Sequence, residues 1–110
     1  MLCKSILVIS DQHAPYHHID TLDFLAAIKK KYKPDTVVNI ADEMDWHSIS
    51  FHDKHPGLYS PSHELQVPRD FFKNLEKLFP KQYIMDSNHG SLVFRKATRH
   101  GLPHEVFTCY

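Results

Sequence analysis

The sequence predicts an α/β fold in the order βαβαβα, a mostly parallel sheet with flanking helices. Three observations predict it. Short runs at 5–10 (SILVIS), 36–41 (TVVNIA) and 82–86 (QYIMD) read as strands, the first a continuous apolar run expected of a strand buried on both faces. Apolar residues recur at helical spacing between these runs and after the last one. The connections are long enough for crossovers, which makes the strands parallel and the crossovers right-handed.

The elements follow in order. After the first strand, Leu22, Leu25, Ile28 and Tyr32 mark one helical stripe, with Asp20 placed as its N-cap. Lys29, Lys30 and Lys31 stand near its end, where cations suit the helix dipole and remain solvated, and Lys33-Pro34-Asp35 stops it. The second strand runs into Asp42, Glu43 and Asp45. A polar loop spans about 46–62. Leu65, Phe72, Leu75, Leu78 and Phe79 then predict a second helix stopped by Pro80, which Pro68 either begins or kinks. The third strand runs into Ser87-Asn88-His89-Gly90. Ser91 caps a last helix to about 100, with Gly101 at the left-handed C′ position and Pro103 just beyond.

Length and composition bound the function. At 110 residues and 42% hydrophobic, the chain is one domain, 1–110, with a packed core. Thirteen Lys+Arg balance thirteen Asp+Glu, so stable nucleic-acid or membrane-surface binding is not expected. No stretch is long enough to span a bilayer, and Cys3 and Cys109 form no cysteine framework. The expectation is a cytoplasmic protein with reduced thiols. Ten histidines are the compositional oddity. Most are expected at the surface: His17 and His18, His63, His100 and His104, with His47, His52 and His55 in the solvated loop. Trp46 and Phe51 are expected to anchor that loop against the core.

Three polar clusters, Asp11/His13, Asp42/Asp45 and Asn88/His89, each follow a strand directly. In open α/β sheets ligands bind off the carboxyl ends of the strands, so neighbouring strands bring these clusters together. No Lys or Arg lies within any cluster to neutralise the carboxylates. A divalent cation would do so, and a set of carboxylate, imidazole and amide oxygen suits Mn²⁺, Fe²⁺ or Zn²⁺.

Asp11-x-His13, Asp42-x-x-Asp45 and Asn88-His89, in this order and each after a strand, resemble the calcineurin-like metallophosphoesterase superfamily. DQHAPYHH, SISFHDKHPG and NHGSLVFRKA are most similar to its phage and prophage branch. The resemblance implies the N-terminal βαβαβα half of that family's α/β sandwich. It implies a metal-dependent phosphoric ester hydrolase with a two-metal site, acting on a small phosphoester such as a nucleotide. Asp11 and His13 would ligate the first metal and Asp42 would bridge both. Asn88 would ligate the second and face the phosphate, and His89 would be the phosphate-side catalytic residue. Asp45 would orient a ligand rather than bind metal. Manganese is the implied ion, with iron, zinc or nickel as alternatives. A phage-encoded chain would work in the host cytoplasm.

The chain departs from the family pattern at named positions. Ala41 and Ser87 stand where the family has Gly, Gly90 replaces an acid, and the family's later His and GHxH motif have no counterpart. The expectation is therefore a C-terminally truncated version of a longer enzyme, whose uncovered sheet promotes self-association. Three alternatives stay open: a DNA nuclease of the same superfamily, a catalytically incomplete metal-binding fragment, and a phosphotransferase with Asp11 as covalent nucleophile. The last explains Asn88-His89 poorly.

Overall fold

A computed structural model describes residues 4–40, 42, 45–50, 53, 55–86 and 91–103. Among these, β1 (Ile6–Ile9), α1 (Thr21–Tyr32), β2 (Thr36–Asn39), a 3₁₀ turn (His47–Ile49), α2 (Pro61–Leu78), β3 (Tyr83–Ile84) and α3 (Leu92–Arg99) follow one another. The three strands form one parallel sheet in the order β1-β2-β3. The chain is α/β with the expected element order. Cys3, Cys109, Phe51, His52, Asn88, His89 and His104 lie outside the described residues.

Register fixes the edge where the strands end. Ile9 pairs with Asn39 and Asn39 with Ile84, so the three strands finish level. The ladder runs one step further: the Ile40 N–H donates to the Ile9 carbonyl at 2.8 Å and the Met85 N–H to the Asn39 carbonyl at 2.9 Å. The segments that carry Asp11 and Asp42 therefore leave from one edge, side by side.

Right-handed crossovers that step in one direction, β1 to β2 to β3, place α1 and α2 on the same face of the sheet. The core follows that rule. Ile9 and Val37 of the sheet join Leu25 of α1, Phe71 and Leu75 of α2, and Phe79, with Leu7, Leu22, Phe72 and Leu78 packed against them. The opposite face differs from the expectation of a first strand buried on both sides. Ile6 and Val8 are 61% and 56% exposed, and on the same face Ile40 and Tyr83, the latter in register with Val8 through Val38, are exposed as well. The radius of gyration, 16.0 Å, exceeds the about 13 Å of a compact domain of this length.

The helices depart from expectation at their ends. Asp20 holds the N-cap position of α1 but makes no side-chain cap bond. Nearby, the Thr21 hydroxyl donates to the His18 carbonyl at 2.7 Å, which ties the first helical residue to the preceding turn without capping a helix N–H. Lys29 is not merely solvated: its Nζ donates to the Leu78 carbonyl at 2.5 Å and lies 5.7 Å from the Phe79 ring centre, tying α1 to the end of α2. Tyr32 is exposed rather than part of the core stripe.

α2 begins at Pro61, inside the expected loop. Ser60 caps it, accepting from the His63 N–H at 3.3 Å, and Pro61 occupies the first turn, where a missing N–H costs nothing. Pro68 lies inside this helix and is fully buried. At the far end, Gly101 adopts φ +78°. The Leu102 N–H donates to the Ala97 carbonyl at 3.1 Å and the Gly101 N–H to the Thr98 carbonyl at 3.0 Å, a Schellman closure of α3.

Candidate metal centre

Two segments build the site, 10–16 after β1 and the one that brings Asp42 and Asp45 after β2. They are stitched together by backbone. The His13 N–H donates to the Asp42 carbonyl at 2.9 Å, and the Asp45 N–H to the Ala14 carbonyl at 3.0 Å. Within these loops Asp11, His13, Asp42 and Trp46 all have positive φ, at 53°, 49°, 59° and 52°. L-residues adopt this conformation rarely and at a cost; Asp tolerates it best of those present. Such strain persists where surrounding structure over-determines it, and it concentrates at functional sites. Asp11 and His13 therefore meet through successive left-handed turns, with Gln12 between them turned inward and buried, rather than along one face of an extended strand.

The side chains converge. Asp11, His13 and Asp42 each offer a ligand atom within 4.8 Å of the other two. His13 Nε2 lies 3.6 Å from Asp11 Oδ1, while His13 Nδ1 lies 2.8 Å from Asp45 Oδ1. The mostly buried Asp45 carboxylate selects the tautomer with the proton on Nδ1. Nε2 is then the lone-pair nitrogen, on the side of Asp11. His47 adds its Nδ1 at 3.9 Å from Asp45 Oδ2.

Asp42 Oδ1 is buried and makes no hydrogen bond among the described residues. Among the described residues, neither Asp11 nor Asp42 pairs with a lysine or arginine. A buried carboxylate oxygen without donor or counterion is unfavourable by itself, and a coordinated cation is the usual remedy. The residues present therefore fit a divalent ion: two carboxylates, one of them orphaned, and an imidazole held by a third.

The surroundings are partly as expected. Trp46 is buried, though it is not part of the core cluster beneath the sheet. His18, His63 and His100 are exposed, and His55 accepts from the Gly57 N–H at 3.1 Å. His17 departs from expectation: it is half-buried, with its ring 4.4 Å from that of Phe71 and its Nδ1 buried without a partner. Burial lowers its pKa below the ordinary histidine value. Beside Asp11 a groove of about 650 Å³ opens between the end of β1 and the start of α1, lined by Val8, Phe24 and Leu25 with His17, His18 and Thr21. Lys96 donates to the Ile49 carbonyl at 2.7 Å, supporting the 3₁₀ turn.

Sequence reasoning missed Glu64, which is 0% exposed on α2 and accepts from Ser48. It fell at the boundary of a helix expected to start later, and no local pattern marks a glutamate as buried. Ser60-Pro61 was the available signal for the true start of α2.

No family model, curated protein or solved structure matches the chain. No described helix is long and apolar enough to cross a membrane.

Proposed function

We propose that this chain holds a divalent metal at Asp11, His13 and Asp42 and serves the hydrolysis of a phosphoester, as the resemblance to calcineurin-like metallophosphoesterases implies. The observation that supports it best is the convergence of these three side chains at one sheet edge, with Asp42 Oδ1 buried and unpartnered. A cation there supplies Lewis-acid polarisation of a phosphoryl oxygen. The chain's own residues do the rest. Asp11, His13 and Asp42 hold the ion, and Asp45 fixes the His13 ring so that Nε2 faces it. Asn88 and His89 follow β3 in sequence and are assigned here to the second ion and to the phosphate. The groove beside Asp11 offers room for the organic part of a small ester such as a nucleotide. Manganese is the first ion to try, then iron, zinc and nickel.

The test is direct. The chain should bind Mn²⁺ and hydrolyse a nitrophenyl phosphate ester with it, and His89→Ala should abolish turnover while leaving metal binding at Asp11 intact. Full activity in that variant would remove the role given to His89. A second reading, a metal-binding unit without turnover, is favoured by the exposed apolar sheet face. It predicts Mn²⁺ binding with no hydrolysis of the ester. A nuclease would instead prefer single-stranded DNA to a mononucleotide.

A further inference from the structure

Glu64 is the one carboxyl group among the described residues that is completely buried. Its Oε2 accepts from the Ser48 N–H at 3.0 Å and from the Ser48 hydroxyl; its Oε1 accepts from the Tyr16 hydroxyl at 3.5 Å. An acidic side chain taken fully out of water needs donors to offset the lost hydration. Here the donors come from two different loops, and each is tied to the candidate metal centre.

Tyr16 lies three residues after His13, and its N–H donates to the His13 carbonyl at 2.8 Å. Ser48 lies three residues after Asp45, in the 3₁₀ turn that begins at His47. One carboxyl group on α2 thus holds the segment after His13 and the segment after Asp45. These are the two residues whose side chains meet at 2.8 Å. Lys96 holds the far side of the same turn through the Ile49 and Ser50 carbonyls at 2.7 and 3.5 Å.

We propose that Glu64 is a positioning residue of the candidate metal centre: by clamping Ser48 and Tyr16 it sets the His13–Asp45 hydrogen bond and through it the direction of His13 Nε2. The relevance to metal rests on the proposed function; the clamp itself does not. A glutamate serving only to stabilise α2 would leave the imidazole unchanged when altered. A clamp would not.

The experiment uses E64Q, which keeps size and one acceptor oxygen, and E64A, which removes the clamp. Two quantities are read: Mn²⁺ affinity by titration calorimetry, and the ¹⁵N shifts of His13 Nδ1 and Nε2, detected through the carbon-bound ring protons without metal. The expected result is a graded loss of affinity, about 10–100-fold in E64A as for other residues that orient a ligand and smaller in E64Q. The His13 nitrogen shifts should move in the same order. If E64A does not fold, the isosteric E64Q decides the matter. Wild-type affinity and unmoved His13 shifts in folded E64Q would overturn the proposal. If the unaltered chain binds no Mn²⁺, the metal reading fails, and the His13 shifts still judge the clamp: moved shifts support it and unmoved shifts overturn it.

Discussion

His13 Nδ1 and Asp45 Oδ1 stand 2.8 Å apart although 32 residues separate them in sequence. The bond joins the loop after β1 to the loop after β2 and makes Nε2 the ring's lone-pair nitrogen, on the side of Asp11. Asp45→Ala should therefore weaken Mn²⁺ binding about 10–100-fold. Asp45→Asn should lose less, because its amide oxygen can still accept from Nδ1–H. Calorimetric titration of the two variants checks this; equal affinity in all three proteins would show that Asp45 does not orient the imidazole.

Asp42 should trade stability against binding. Its Oδ1 is buried without a partner, and its φ is +59°. Asparagine also tolerates the left-handed region and carries no charge to desolvate. Without metal, Asp42→Asn should raise the melting temperature by a few degrees, corresponding to about 1 kcal/mol in a domain of this size. The upward shift of the melt on adding Mn²⁺ should largely vanish. A variant less stable than the parent without metal would mean that the buried oxygen has a donor after all.

Acid should weaken the fold through His17. Burial against Phe71 lowers its pKa, so the unfolded chain takes up a proton at about 6.5 while the folded chain stays neutral to lower pH. The unfolded state then binds more protons, and stability falls as pH drops from about 7.5 through that window until the folded group titrates. Above it both states are neutral and His17 contributes no slope. Thermal melts of His17→Phe and the parent from pH 8 to pH 5 should diverge only on the acid side. Parallel curves throughout would remove His17 as a source of acid sensitivity.

The uncovered sheet face should drive self-association. Ile6, Val8 and Tyr83 are exposed on one face of a sheet whose other face is packed, an apolar arrangement that seeks cover. Val8→Lys combined with Tyr83→Lys should lower the apparent mass at high concentration in sedimentation equilibrium and leave the far-ultraviolet spectrum unchanged. A monomeric parent at all concentrations would contradict this.

Local sequence carried the parts of the fold that depend on local physics. The apolar runs placed the three strands, the spacing of Leu22, Leu25 and Ile28 placed α1, and Gly101 marked the end of α3 through the conformation only glycine adopts freely. Polar residues directly after apolar runs located Asp11, His13 and Asp42 at one edge. What escaped depends on tertiary context. An apolar run looks the same whether one or both faces are covered, so the runs alone did not show that Ile6 and Val8 are exposed; the expectation of an uncovered sheet came from the family resemblance and named no residue. Nothing near Glu64 announces that Ser48 and Tyr16 will surround it. The left-handed turns at Asp11 and His13 were also hidden, because neither residue type demands them.

The pair of backbone bonds between the two loops, His13 to Asp42 and Ala14 to Asp45, has a kinetic consequence. Neither loop can swing away alone, so the site opens as one cooperative unit. The amides of His13 and Asp45 should exchange with deuterium at a common rate, faster than the sheet and slowed together by a bound ion. Those two protons would report the breathing of the centre without any chemistry being turned over.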